Sequence, residues 1–212
     1  MTVMWSIWHS RNRWTHDQER IDPVLSVKLT REALALLEIP RQQIILPGHG
    51  WRPPDLHYVK INTDAAVRCL EGKIGAGGVA RSSAAFQGAW SKPYLGVTDP
   101  LIAEALAVWD GVIFARLRGF SHVLLETDCL VVVSLWKNRR DSRSVVAPIL
   151  LEIGELATTF TSFVIQHVNQ SANVPAHLCA KFSCTVDRTE SWIEEPPSFL
   201  VGFDEYDIFS PP

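Results

Sequence analysis

Three carboxylates occupy positions from which they could act on a substrate together. Asp64 closes the alternating stretch 59–64, Glu104 lies between two alanines in an apolar helical pattern, and Asp128 follows the apolar stretch 122–127. Clustered carboxylates repel one another, and a shared cation relieves that repulsion. Oxygen-only ligands suit Mg²⁺ or Mn²⁺, and two such ions about 4 Å apart can activate water and stabilise a leaving oxygen in phosphodiester cleavage. The spacing alone does not show that the three acids converge, because single acids are usually helix caps or solvated residues.

The pattern of the chain predicts an α/β fold that could position these acids. The first expected strand, near 57–67, ends its apolar alternation at Asp64 and places that residue on the face opposite Ile61. Glu104 falls in the second turn of a helix that begins after the N-cap Asp99. The other expected elements are strands near 73–82, 85–95, 122–127 and 162–168, and helices near 129–137, 146–160 and 173–183. Three consecutive strands followed by alternating helices and strands are typical of a mixed sheet flanked by helices.

The composition is that of a folded, soluble protein with one full core. The chain has 212 residues, of which 47% are hydrophobic and 20% are charged. Prolines and glycines concentrate near 47–54, which is typical of a linker. We therefore expect an N-terminal helical segment and linker at 1–54, the main domain at 55–185 and an acidic, aromatic tail at 186–212.

The sequence carries no sign of export or membrane insertion. No apolar run reaches the roughly 18–20 residues needed to span a bilayer, and the N-terminus lacks a basic segment followed by an apolar one. The four cysteines form no CxxC pair, as expected of reduced thiols. These features favour an intracellular protein, in the nucleus or cytoplasm, that does not bind membranes, and we expect it to be a monomer.

A basic loop lies shortly after Asp128 in the sequence. The formal net charge is −3, but the segment 186–212 holds seven acids and one arginine, which leaves 19 basic and 16 acidic side chains upstream. Four of the basic residues fall within seven positions: Lys137, Arg139, Arg140 and Arg143. Such a run is either a solvated loop or a surface that binds nucleic-acid phosphates. The glycine-rich stretch 75–78 also leaves two interpretations open, which are close sheet packing and the approach of a nucleic-acid backbone.

Five stretches of the chain resemble, in order, motifs of the ribonuclease H family. They are Asn62-Thr63-Asp64-Ala65-Ala66, Gly75-Ala76-Gly77-Gly78-Val79-Ala80-Arg81, Ala103-Glu104-Ala105-Leu106, Glu126-Thr127-Asp128, and Asn173 with Leu178-Cys179-Ala180-Lys181. The resemblance covers about 57–184 and is nearest to the reverse-transcriptase-associated, ribonuclease H-like domain of plant non-LTR-retroelement-derived proteins. It implies a five-stranded mixed sheet whose first three strands are antiparallel. It also implies endonucleolytic hydrolysis of the RNA strand of RNA–DNA hybrids with two Mg²⁺ ions, held at three of four positions by Asp64, Glu104 and Asp128.

The fourth metal-binding position of the family pattern does not match. The pattern opens the last helix with Asn, three residues and Asp, whereas this chain has Asn173 followed by His177. Imidazole is a poor ligand for Mg²⁺ but tolerates Mn²⁺. We therefore expect either a slow or Mn²⁺-preferring ribonuclease or, as the alternative, a catalytically silent nucleic-acid-binding or interaction module. His177 could also be a surface residue without a ligand role, and for His167, at the end of the last strand, a buried structural position is favoured over a proton-shuttling one.

Overall fold

The sheet has six strands in the order β5-β4-β1-β2-β3-β6. The computed structural model describes residues 51–68 and 73–201. The predicted helices within 1–38, most of the predicted linker, Cys69 and the end of the acidic tail lie outside these residues. The strands are β1 (Val59–Arg68), β2 (Lys73–Arg81), β3 (Phe86–Leu95), β4 (His122–Thr127), β5 (Ser162–His167) and β6 (Glu190–Trp192). Strands β1, β2 and β3 are antiparallel neighbours, as expected, and β4 and β5 extend the sheet in parallel with β1.

The expectation of five strands is wrong because a sixth strand joins the edge of the sheet. Glu190–Trp192 pairs antiparallel with β3, opposite residues 89–91. The aromatic rings of Phe182, Trp192 and Phe199 then pack on one another, with centroids 4.9 to 5.5 Å apart. Three residues are too few to show a period of two, so the sequence pattern could not reveal this strand.

Within residues 73–201, four α-helices cover the sheet: α1 (Pro100–Leu117), α2 (Leu130–Lys137), α3 (Ala147–Ala157) and α4 (Val174–Ser183). The predicted start of α1 is confirmed, since the Asp99 side chain accepts hydrogen bonds from the backbone N–H groups of Leu101 and Ile102. Helix α1 packs on the face of β1 that carries Ile61, where a Cβ added at Gly111 would meet the Thr63 methyl group at 2.7 Å. No helix within the described residues is long and apolar enough to cross a membrane.

Helix α4 lies on the opposite face of the sheet, directly above the glycines of β2. A Cβ added at Gly77 would lie 2.3 Å from the backbone nitrogen of Ala180, and one added at Gly75 would lie 2.3 Å from the carbonyl oxygen of the same residue. The Ser91 hydroxyl, on β3, donates to the carbonyl oxygen of Cys179 at 2.7 Å. The glycine-rich stretch therefore serves close helix–sheet packing, and these glycines are covered by protein.

We expect Gly77→Ala to lower the free energy of unfolding by more than about 3 kcal/mol, beyond the usual range for an overpacked core. The added methyl group meets the backbone of α4, which cannot rotate away as a flexible side chain could. Chemical denaturation measures the loss.

Gly96→Ala is the control, because this glycine faces open space and the alanine meets only the penalty of a φ of +76°. That penalty is roughly 1–2 kcal/mol. A loss at Gly77 no larger than the loss at Gly96 would contradict the close packing of α4 on β2.

Candidate active site

The structure brings Asp64, Glu104 and Asp128 together at one edge of the sheet. Strands β1 and β4 are parallel neighbours with Thr63 opposite Thr127, so the residues that follow lie side by side. Helix α1 supplies Glu104 from its second turn. One carboxylate oxygen from each of the three acids lies within 4.8 Å of the other two. This is the convergence that spacing along the sequence could not show.

Asp64 ends the apolar alternation but lies within its strand, which the sequence placed near 57–67. Strand β1 continues to Arg68, and Asp64 is paired with Gly77 of β2. The two alanines after Asp64 also pair with β2, because the hairpin continues beyond the point where β4 ends. Asp64 is consequently only 4% exposed.

Glu104 is the most strongly perturbed acid of the cluster. Burial raises its pKa from 4.5 to about 8, with further contributions from the negative charges of Asp64 and Asp128, and a backbone hydrogen bond from Ala65 opposes the rise. Its Oε2 atom is buried and has no hydrogen-bond partner among the described residues. An acid in this environment is stabilised when it binds a proton or a cation.

Asp128 is held by a neighbouring amide. Its pKa is raised by burial and by Asp64, and hydrogen bonds from its own backbone N–H and from Asn173 oppose that shift, as does the charge of His177. The Nδ2 atom of Asn173 donates to Asp128 Oδ1 at 3.0 Å and to the carbonyl oxygen of Thr63 at 3.0 Å. Asn173 is fully buried.

His177 contacts the acid cluster directly. Its Nδ1 atom lies 2.6 Å from Asp64 Oδ2, and its side chain is 34% exposed. The two atoms share one hydrogen bond, whose donor is set by the tautomer of the ring. The imidazole therefore lies beside Asp64, in the first turn of α4, and the alternative of a residue without a ligand role stays a prediction.

The basic loop divides into one fixed arginine and three exposed side chains. The guanidinium group of Arg139 stacks on the Trp136 ring at 3.8 Å and donates to the carbonyl oxygen of the same residue at 3.0 Å. The side chains of Lys137, Arg140 and Arg143 are exposed. Helix α2, eight residues long, separates the loop from Asp128 by roughly 12 Å along its axis.

His167 is exposed at the end of β5, so the expectation that it is buried is wrong. Strand β5 lies at the edge of the sheet and pairs only with β4 among the described strands, which leaves its end open to solvent. Within the described part of the chain, no hydrogen bond or ion pair joins His167 to the three acids.

A buried polar network behind Asp64 escaped the sequence interpretation. Lys60 Nζ lies 3.0 Å from Glu126 Oε1, Asn62 Nδ2 donates to Glu126 Oε2 at 3.0 Å, and Arg81 donates to Asn62 Oδ1 at 3.2 Å. The guanidinium group of Arg81 lies 3.9 Å from the centroid of the Trp51 ring. The signal was available in the alternation of β1, which places Lys60, Asn62 and Asp64 on one face.

The donor set fits a divalent cation. All three acids offer oxygen, which Mg²⁺ and Mn²⁺ prefer. The unpartnered Oε2 of Glu104 and the raised pKa values of Glu104 and Asp128 indicate uncompensated negative charge at the point where the oxygens meet.

The fold and the acid cluster define a ribonuclease H-like domain, and three solved structures share its fold. RNase H1 from Halobacterium salinarum has a TM-score of 0.56 and 22% identity and covers 60% of this chain and 98% of its own. An N-terminal RNase H domain from Mycobacterium tuberculosis has a TM-score of 0.55 and 19% identity, with 60% and 94% covered. LC11-RNase H1, solved with an RNA/DNA hybrid, has a TM-score of 0.53 and 17% identity, with 59% and 95% covered.

Residues 62–183 match the reverse transcriptase-like family, and the chain belongs to that family. A protein of Arabidopsis thaliana, provisionally named a ribonuclease H protein, is 36% identical over 91 residues. That match covers 42% of this chain and 14% of the relative, so the two proteins share only a small part of the relative's length. The resemblance seen in the sequence motifs is confirmed at the level of a ribonuclease H-like domain with a plant relative.

We expect the stability of the metal-free protein to fall as the pH rises from about 5 to about 8. The pKa of Glu104 is 4.5 in its ordinary state and about 8 in the fold, so between these values the folded protein holds a proton that the unfolded chain has lost. Stability therefore decreases with pH across this window and changes little above it. Thermal melts in chelator from pH 5 to pH 9 measure the effect.

Glu104→Gln is the matched variant, because it keeps the shape of the side chain and removes the titration. Its melting temperature should be flatter across the same range and higher than that of the parent at pH 8.5. Parallel pH profiles for the two proteins would contradict the raised pKa.

Proposed function

We propose that this domain is a metal-dependent ribonuclease H-type endonuclease that hydrolyses the RNA strand of RNA–DNA hybrids. The observation that carries the proposal is the placement of oxygens from Asp64, Glu104 and Asp128 within 4.8 Å of one another. Membership of the reverse transcriptase-like family supports it, as does the fold shared with LC11-RNase H1, which was solved with an RNA/DNA hybrid. The raised pKa of Glu104 supports it further, because strongly perturbed pKa values are concentrated at functional sites.

The three acids would hold Mg²⁺ or Mn²⁺. When bound, such an ion lowers the pKa of water and stabilises charge on the phosphate oxygens. Hydrogen bonds would orient two of the acids for this role. His177 contacts one oxygen of Asp64, and Asn173 donates to one oxygen of Asp128. Glu104 retains a buried oxygen without a protein partner, so it can accept a cation without breaking a side-chain contact.

The exposed side chains of the basic loop would bind the phosphates of the hybrid. Lys137, at the end of α2, and Arg140 and Arg143, beyond it, are exposed to solvent, whereas Arg139 is stacked on Trp136. Binding through phosphates is independent of sequence and weakens with salt, and duplex shape together with the 2′-hydroxyl distinguishes RNA from DNA. This arrangement suits an enzyme that acts on hybrids of any sequence.

The second candidate is a module that binds nucleic acid without cleaving it. The contact between His177 and Asp64 favours it. The imidazole stands where the family pattern has a fourth carboxylate, and it makes a hydrogen bond with one oxygen of Asp64. A site with one carboxylate fewer carries less negative charge and attracts a second divalent cation more weakly.

We expect divalent-dependent cleavage of an RNA–DNA hybrid, lost by at least about 100-fold in Asp64→Asn, because that change removes a charge that the cation needs. Gel assays with a labelled RNA strand, in Mg²⁺ and in Mn²⁺, measure it. Binding of the hybrid without cleavage by the parent protein in either metal would favour the silent module.

We expect His177→Asp to increase cleavage in Mg²⁺ more than in Mn²⁺, because a carboxylate restores the oxygen ligand that Mg²⁺ prefers. The ratio of the rates in the two metals, for parent and variant, is the measurement. A parent inert in both metals, with no gain from the variant, would remove the proposal of a weakened enzyme.

We expect Arg140→Glu combined with Arg143→Glu to weaken hybrid binding by at least about tenfold at low salt and to flatten the dependence of affinity on salt concentration. The control is Arg116→Glu with Arg118→Glu, which makes the same charge change at the opposite end of the 18-residue helix α1 from Glu104. Equal losses in the two double variants would show a general charge effect and would contradict a binding role for the loop.

A further inference from the structure

Asn173 has an unusual place at the start of α4. It is the N-cap residue of this helix, and an N-cap asparagine ordinarily uses its side-chain oxygen to accept a backbone N–H from the first turn. The side chain of Asn173 makes no such capping hydrogen bond. Its Oδ1 atom is buried and has no partner within the described part of the chain.

The amide nitrogen of Asn173 instead joins two segments that carry acids. It donates to the carbonyl oxygen of Thr63, the residue before Asp64, and to Oδ1 of Asp128, both at 3.0 Å. The orientation of the amide is fixed, because turning it over would place its oxygen against two other oxygens. The N–H of His177 donates to the carbonyl oxygen of Asn173, so the same helical turn also carries the imidazole that contacts Asp64.

This arrangement has a thermodynamic cost that helix capping would avoid. A buried carbonyl oxygen left without a hydrogen bond typically costs about 1–3 kcal/mol. A serine at this position could cap the helix but is too short to reach Asp128. The side chain of Asn173 therefore orients the acid-bearing segments at the expense of a capping hydrogen bond that would stabilise the helix.

We propose that Asn173 is a positioning residue for divalent-cation binding. It sets the orientation of Asp128 and the separation of that carboxylate from Asp64 by connecting both to the first turn of α4. The inference deepens the proposed nuclease function and rests on it for the identity of the cation site. It adds a residue that acts through Asp128 and does not contact the cation itself.

The test compares Asn173→Ala with Asn62→Ala in the full-length protein. Asn62, on β1, is the matched control because it is also a fully buried asparagine. Its Nδ2 donates at 3.0 Å to Glu126, a carboxylate outside the acid cluster. The readouts are the increase in melting temperature on titration with Mn²⁺ or Mg²⁺ and the metal concentration that gives half-maximal hybrid cleavage. Loss of an outer partner of a metal ligand typically weakens metal binding 10–100-fold.

We expect both variants to be less stable than the parent and only Asn173→Ala to shift the metal midpoint, by about tenfold or more. In an Asp128→Asn background, Asn173→Ala should add little further shift, because the carboxylate on which it acts is gone. Asn173→Ser should fold even if the alanine variant does not, since serine caps helices well, and it should show the same weakened metal response.

Three results would overturn the proposal. They are equal metal midpoints for the Asn173 and Asn62 variants, a shift that adds fully to that of Asp128→Asn, and a parent melting temperature that no divalent ion changes. Failure of the nuclease function is recognised separately, because a parent that is stabilised by metal but does not cleave hybrid can still show the Asn173 effect on the melting temperature.

Discussion

The close approach of α4 to the sheet is the constraint on which the site depends. A side chain at Gly75 or Gly77 would fill the space that the backbone of α4 occupies, so this separation is available only above glycine. The helix that is seated there carries Asn173 and His177 at its start, and these two residues hold Asp128 and Asp64. Glycines in β2 that contain no functional atom thereby determine where the hydrogen-bond partners of two of the three acids lie.

The second determinant is electrostatic, and it acts against stability. Three acids whose oxygens meet within 4.8 Å repel one another, and burial makes each charge more costly. An amide contacts Asp128 and an imidazole contacts Asp64. Glu104 has a pKa of about 8, and one of its oxygens has no hydrogen-bond partner among the described residues. The buried network of Lys60, Asn62 and Glu126 shows the contrast, since there each oxygen of the carboxylate has a donor. The negative charge of the carboxylate behind the site is therefore fully compensated by hydrogen-bond donors, whereas the charge within the site is not. Incomplete compensation of this kind is typical of cation-binding sites.

The extent to which the sequence predicted this structure follows from what each signal measures. Periodicity and capping chemistry located the helix that begins at Asp99 and the antiparallel strands, because these are local properties of the chain. The pairing of Glu190–Trp192 with β3 depends on a neighbouring strand, which periodicity does not record. His177 attracted attention only through its mismatch with a family pattern, and its contact with Asp64 required the placement of α4. The domain boundaries at 54/55 and 185/186 stay predictions.

The contact between His177 and Asp64 limits how far the family's chemistry can be transferred to this chain. An imidazole with Nδ1 2.6 Å from Asp64 Oδ2 engages in a hydrogen bond an oxygen that would otherwise be free to bind a cation. A carboxylate at the same position would instead add charge and two acceptor oxygens. The substitution therefore reduces the demand of the site for cations and its capacity to hold two of them together. The three remaining acids still repel one another, and a divalent ion held by their oxygens would relieve that repulsion.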